Sequence, residues 1–135
     1  MVSDLKPDDI LSRYLFYKSD IDYNTSPHTV KTSVFKGKHP DGFSVYKTTN
    51  LLENYIWNIS KEYVEPSYPD RPLLGRGDLA VKFYQLAKLN IVKKEPPPRH
   101  YNIFGMPVGS GLEEAEKLSL RQEMRANSKF IPVPL

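Results

Sequence analysis

Hydrophobic positions along this chain change their period several times, and each change marks an element. From residue 50 the apolar side chains recur at helical spacing. At about 100° per residue, Leu52, Tyr55, Ile56, Ile59 and Tyr63 share one stripe, with Trp57 and Val64 on a separate flank. Asn50 stands three residues before Glu53, the spacing of a capping box, so a helix is predicted over 51–63 with Leu52, Ile56 and Ile59 in the core. β-Branched and aromatic runs at 30–36 and 43–47, separated by Gly37 to Gly42, predict a hairpin with a long loop. Leu79, Val81 and Phe83 alternate with Ala80 and Lys82, which predicts a strand to about Phe83 and one helical turn after it.

Proline and charge supply the punctuation. Pro7 with Asp8 and Asp9 has the look of a helix first turn, predicting a short helix over 7–12 and a strand over 13–17. Residues 19–29 lack a helical period and carry turn formers, so they read as a loop. Three prolines make 65–72 a connector. Pro96, Pro97 and Pro98 predict an extended polyproline segment that delivers 100–104 to the sheet as a strand, closed by Gly105. Glu113, Glu114 and Glu116 at one end, and Arg121 and Arg125 near the other, match the dipole of a helix over 112–127. The whole reads as an α+β domain over 1–127, with a mixed or antiparallel sheet of about four strands packed by two main helices. Residues 128–135, with two prolines, read as a tail.

Composition narrows the setting. A chain of 135 residues fits one domain. There is no cysteine, no apolar run of about 18 residues and no secretory pattern at the start. That predicts a cytoplasmic protein with no membrane segment, and it excludes thiolate metal sites. Nineteen basic against sixteen acidic residues leave a net charge of +3, so nucleic-acid binding is expected to be weak and electrostatic at most. A local basic excess (Lys82, Lys88, Lys93, Lys94, Arg99) reads either as a docking patch or as the solvated lysine edge that keeps sheets apart.

Few residues carry chemistry. His100 follows a rigid proline run into a strand, the placement that suits a catalytic or ligand-binding imidazole, or one structural hydrogen bond. His28 and His39 have no ligand spacing, so no metal and no cofactor is expected. Gly109 and Gly111 precede a helix, but Glu113, Glu114 and Glu116 would repel a phosphate there. The Arg76-Gly77-Asp78 tripeptide and the Asn24 and Asn58 acceptor patterns matter only outside the cell and read as chance. Tyr14, Phe16, Tyr17 and Tyr23, interleaved with Arg13 and Lys18, read as core aromatics or as base-stacking groups.

Arg13-Tyr14-Leu15-Phe16, Val34-Phe35, Gly42-Phe43-Ser44-Val45 and His100-x-x-Ile103-x-Gly105-x-Pro107 together resemble a group of small bacterial proteins to which no function is attached. The resemblance implies a bacterial or phage origin and singles out Arg13, Ser44 and His100 as shared polar positions. A fainter one is to ADP-ribosyltransferases of the Arg-Ser-Glu type, whose order Arg13 and Ser44 follow; the late catalytic Glu has no counterpart, since Glu95 lies in a connector and Glu113 opens a helix. Two functions follow as expectations. One is a non-catalytic binding or accessory protein, with Trp57 and Val64 contacting a protein partner or a second copy. The other is a small enzyme acting on a nucleotide or nucleic acid through Arg13, Ser44 and His100, which requires the three to converge in one pocket.

Overall fold

The computed structural model describes residues 4–36, 42–104 and 114–134. In chain order the elements are β1 (Ile10–Leu15), β2 (Ile21–Asp22), β3 (Thr29–Val30), β4 (Phe43–Lys47), α1 (Glu53–Ile59), β5 (Gly75–Ala80), α2 (Val81–Leu86), β6 (Asn90–Lys93), β7 (His100–Phe104), α3 (Glu114–Asn127) and β8 (Lys129–Pro132). Six strands form one antiparallel sheet in the order β6-β7-β4-β1-β5-β8, and β2 and β3 form a separate ribbon. This is a mixed α and β architecture with an antiparallel sheet. It holds six strands where about four were expected, and among the described residues α3 is its single long helix.

Alternation along β1 divides the molecule into two layers. Leu11 and Leu15 point to the main core, which they share with Val45, Leu79, Tyr101 and Ile103 from neighbouring strands and with Val34, Phe35, Tyr84 and Met124 from the covering segments. Tyr14 and Phe16 point the other way, into a second cluster with Tyr46, Ile56 and Ile59 beneath α1. β1 therefore has no solvent-facing side. Burial on both faces explains why Arg-Tyr-Leu-Phe reads as a nearly unbroken apolar run.

Several expectations are corrected. Residues 7–12 are not helical: Asp9 closes a turn by accepting the Lys6 backbone N–H at 2.8 Å, and β1 begins one residue later. The expected strand over 30–36 is a two-residue β3 followed by a 3-10 turn at Thr32–Phe35. β4 consequently pairs with β1 and β7, and not with 30–36; most of the intervening loop, 37–41, lies outside the described residues. The capping box does not form. Asn50 sits at φ 61°, and Leu52 is the extended N-cap residue of α1, its side chain 76% exposed, whereas Ile56 and Ile59 are buried as expected. The helical path then widens through a π turn at Ser60–Val64. Pro96 to Arg99 form bends and a turn that join β6 to its neighbour β7, with Arg99 at φ 64°, so the segment is a hairpin connection and not a polyproline spacer. Finally, the expected tail supplies β8, an edge strand paired with β5 from Asp78–Lys129 to Gly75–Pro132. Gly105, Gly109, Gly111 and Glu113 lie outside the described residues.

Gly75 is what lets β8 dock. A Cβ there would lie 2.6 Å from the Ile131 carbonyl oxygen and 2.6 Å from the Phe130 ring, so only glycine admits the edge strand this closely.

Candidate functional site

The strand ladder has one weak seam. β5 follows β1 over all six residues, but β4 pairs with β1 at only two positions, Leu11–Lys47 and Ser12–Tyr46. Beyond them, from Arg13 on one strand and Val45 on the other, the strands part, and a cleft of about 430 Å³ opens there. Its walls are aromatic, with Phe16, Tyr17, Phe43 and Tyr68 among them; Phe16 and Tyr68 stack face to face at 4.1 Å. Polar groups reach it from Ser44 and from the 18–36 segment, which brings Asp20, Ser33 and Lys36. Gly42 lines the mouth at φ 67°, where any Cβ would strike the Ile103 carbonyl.

Arg13 belongs to this cleft. Its guanidinium lies 4.7 Å from the centroid of the Phe43 ring, and its Nη1 is sealed from solvent with no hydrogen-bond partner. Burial pushes its pKa down, opposed by the charge of Asp20, which is not within ion-pair distance; a guanidinium nevertheless remains a cation at any physiological pH. The Tyr84 hydroxyl, which interacts electrostatically with Arg13, is also buried without a partner, and burial holds its proton on well beyond the ordinary tyrosine range.

Register separates the other candidates. Paired residues in an antiparallel ladder share a face. Ser44 pairs with Asn102 and Tyr46 with His100, which puts Ser44 and His100 on the α1 side, while Arg13 opposite Gly77 belongs to the main-core side. The parting of β1 and β4 still lets Arg13 and Ser44 line one cleft; His100 does not line it. Its Nδ1 donates to the Lys94 carbonyl at 2.8 Å and its ring lies 5.1 Å from that of Tyr46, so it fastens the β6–β7 hairpin. Ser44 Oγ donates to Asn102 Oδ1 at 3.3 Å, with no base beside it. Glu95 lies elsewhere, accepting the Arg99 backbone N–H and pairing with Lys93.

Trp57 and Val64 pack at the margin of the second cluster, Trp57 6.4 Å from the Tyr14 ring and 4.7 Å from the Arg76 guanidinium. The large exposed hydrophobic side chains beside them are Leu52, just ahead of α1, and Tyr55 on it. Tyr14 and Phe16 are buried and offer a base no free ring face, and in the basic run Lys82 pairs with Asp8 and Lys93 with Asp4 and Glu95.

Arg76 is the residue whose weight sequence reading missed. It is 2% exposed and fully engaged: Nη1 and Nη2 donate to the two Glu53 oxygens at 3.0 and 2.8 Å, and Nε to Asp78 at 3.1 Å. Asp78 also accepts from Ser12 Oγ, which is 2.7 Å from Thr48 Oγ1. The adhesion-like tripeptide is thus an ion pair inside strand β5, tying sheet to helix. The available signal was its i, i+2 spacing, which places both charges on one face of any strand reaching back to 76.

No family model, curated protein or solved structure matches the chain. Among the described residues, no helix is long and apolar enough to cross a membrane.

Proposed function

We propose that this chain is a non-catalytic binding protein whose ligand enters the cleft between β1 and β4. The observation that carries the reading is the composition of that cleft. It sets a predominantly polar lining, with Arg13, Asp20, Ser33, Lys36 and Ser44 converging, beside the rings of Phe16, Tyr17, Phe43 and Tyr68, so that one concavity offers both directional polar groups and ring faces to a small molecule. Its described residues include no imidazole, and the serine nearest the seam, Ser44, has no base to activate it. The enzyme alternative needed Arg13, Ser44 and His100 together, and His100 is committed to a hairpin on the other side of Tyr46.

The test is a fragment screen by heteronuclear NMR on the full chain, reading amide shifts. Neutral and charged ring fragments should perturb Tyr17, Ser33 and Ser44 together. Perturbations scattered over the surface, or confined to Leu52 and Tyr55, would remove the cleft as the binding site.

A further inference from the structure

Two arginines occupy adjacent strands of this sheet, Arg76 buried and Arg13 half-buried with its Nη1 sealed from solvent, and their surroundings differ. Arg76 is matched by Glu53, Asp78 and the Trp57 ring. Arg13 has the Phe43 ring and, beyond ion-pair distance, the charge of Asp20, and its Nη1 has no acceptor. Leaving a buried cation unmatched costs a protein stability, and an apolar side chain of similar length would fill the same space without that cost. An unsatisfied polar group in a cleft calls for an explanation, and completion by a ligand is one.

We propose that Arg13 is the receptor for an oxyanion carried by a small organic molecule, with a carboxylate as the favoured form; this deepens the binding reading and rests on it. Three observations converge. The guanidinium is planar and presents paired donors that match two oxygens of a carboxylate or phosphate. The Phe43 ring lies against it, and Tyr17 and Tyr68 line the same cleft, so ring faces are at hand for a planar body attached to the anion. The charge balance also fits, since Arg13 and Lys36 against the single carboxylate of Asp20 leave the lining one positive charge, which one carboxylate neutralises and a phosphate dianion exceeds. Asp20 is partly occupied in accepting from Ser33 Oγ at 2.8 Å, which holds it at the rim.

The experiment compares benzoate, phenyl phosphate, inorganic phosphate and the neutral benzamide on the intact chain, by thermal shift and by NMR of the Arg13 side-chain Nε–H. Benzoate should raise the melting temperature by about 4 °C at ten times its dissociation constant and move the Arg13 resonance. Phenyl phosphate should bind several-fold more weakly, and benzamide at least tenfold more weakly. Arg13→Met should abolish the benzoate response while melting at or above the parent temperature, because it removes an unmatched charge. Arg13→Lys, which keeps the charge but not the fork, should lose about tenfold in affinity. A benzoate response that survives Arg13→Met would overturn the proposal, as would an Arg13 resonance in the parent that ignores every anion. Equal binding of benzoate and benzamide in the cleft would sink the anion receptor and leave the binding reading standing; no binding of any probe there would end both.

Discussion

Replacing Asp78 by alanine tests whether the Arg76 clamp holds the sheet to α1. The substitution removes the acceptor for Arg76 Nε and for Ser12 Oγ, leaving a guanidinium 2% exposed with Glu53 alone. One charge-assisted bond contributes about 1.5–3 kcal/mol and the short hydroxyl bond about 1.5 kcal/mol, which sums to about 3–4.5 kcal/mol. Breaking one partner of a buried ion pair costs about 3–5 kcal/mol, and the lower end applies because Glu53, 63% exposed, lets water reach the far side of the guanidinium. For a chain of this size about 3 kcal/mol lowers the melting temperature by about 10 °C. Urea titrations at pH 7 of the parent, Asp78→Ala, Arg76→Met and the double variant measure it. The double variant should be less destabilised than the sum of the singles, because removing both charges leaves neither orphaned. Glu53→Gln should cost under about 1 kcal/mol, its carboxylate being screened by solvent. A loss under about 0.5 kcal/mol for Asp78→Ala, or strict additivity in the cycle, would refute the clamp.

Ile56→Ala should cost about 2–5 kcal/mol and Leu52→Ala under about 0.5 kcal/mol, a contrast that chemical denaturation reads directly. Gly75→Ala should release β8 before the rest unfolds, seen as fast amide exchange over 129–132 with β1 and β4 still protected. Acid should destabilise the fold. Asp9 is held below its ordinary value of 3.8 chiefly by the Lys6 backbone N–H, and Glu53 below 4.5 chiefly by Arg76, so the unfolded chain binds protons more readily; stability is constant above about pH 5 and falls as pH drops through these lowered values, and Asp9→Asn should flatten the fall in urea midpoints. Base should do the same from the other side, because burial raises Tyr14 and Tyr84 and holds Tyr101 up to about 12; stability is full below the ordinary tyrosine value and is lost as pH rises above about 10, which absorbance of tyrosinate during unfolding records.

What was legible in the sequence is what short-range patterning controls. Ile56 and Ile59 are found at their expected places because helical period alone sets them, β4 because a β-branched and aromatic run marks it, and β7 because it follows directly on the proline run. Leu52 was misplaced since the helix starts one residue after it, a boundary that depends on backbone capping and not on period. Asp8 and Asp9 imitate a helix start because turns and helix ends recruit the same side chains to satisfy free N–H groups. β8 was unreadable, being four residues ending in proline, a strand only because β5 offers it an edge. Arg13 and Ser44 were singled out with no sign of how they meet. Their meeting depends on β1 and β4 parting after two pairs, a property of distant segments that no local window contains. Of the segments that finish the cleft, 19–29 and 65–72 read only as irregular, and 30–36 read as a strand, so nothing local pointed to Asp20, Ser33, Lys36 or Tyr68 as its walls.

The order β6-β7-β4-β1-β5-β8 also fixes the sequence of events in which the sheet can assemble. β6 and β7 are neighbours joined by a short connection, whereas β1 waits at the centre for Lys47 and Tyr46 on one side and for the whole of β5 on the other. Closing those loops spends chain entropy before any contact rewards it, so folding belongs to the slow, milliseconds-to-seconds end of the range for small domains. Until β5 arrives, the apolar flanks of Leu11, Tyr14, Leu15 and Phe16 are bare. The half-made molecule is therefore the state most prone to associate with its neighbours.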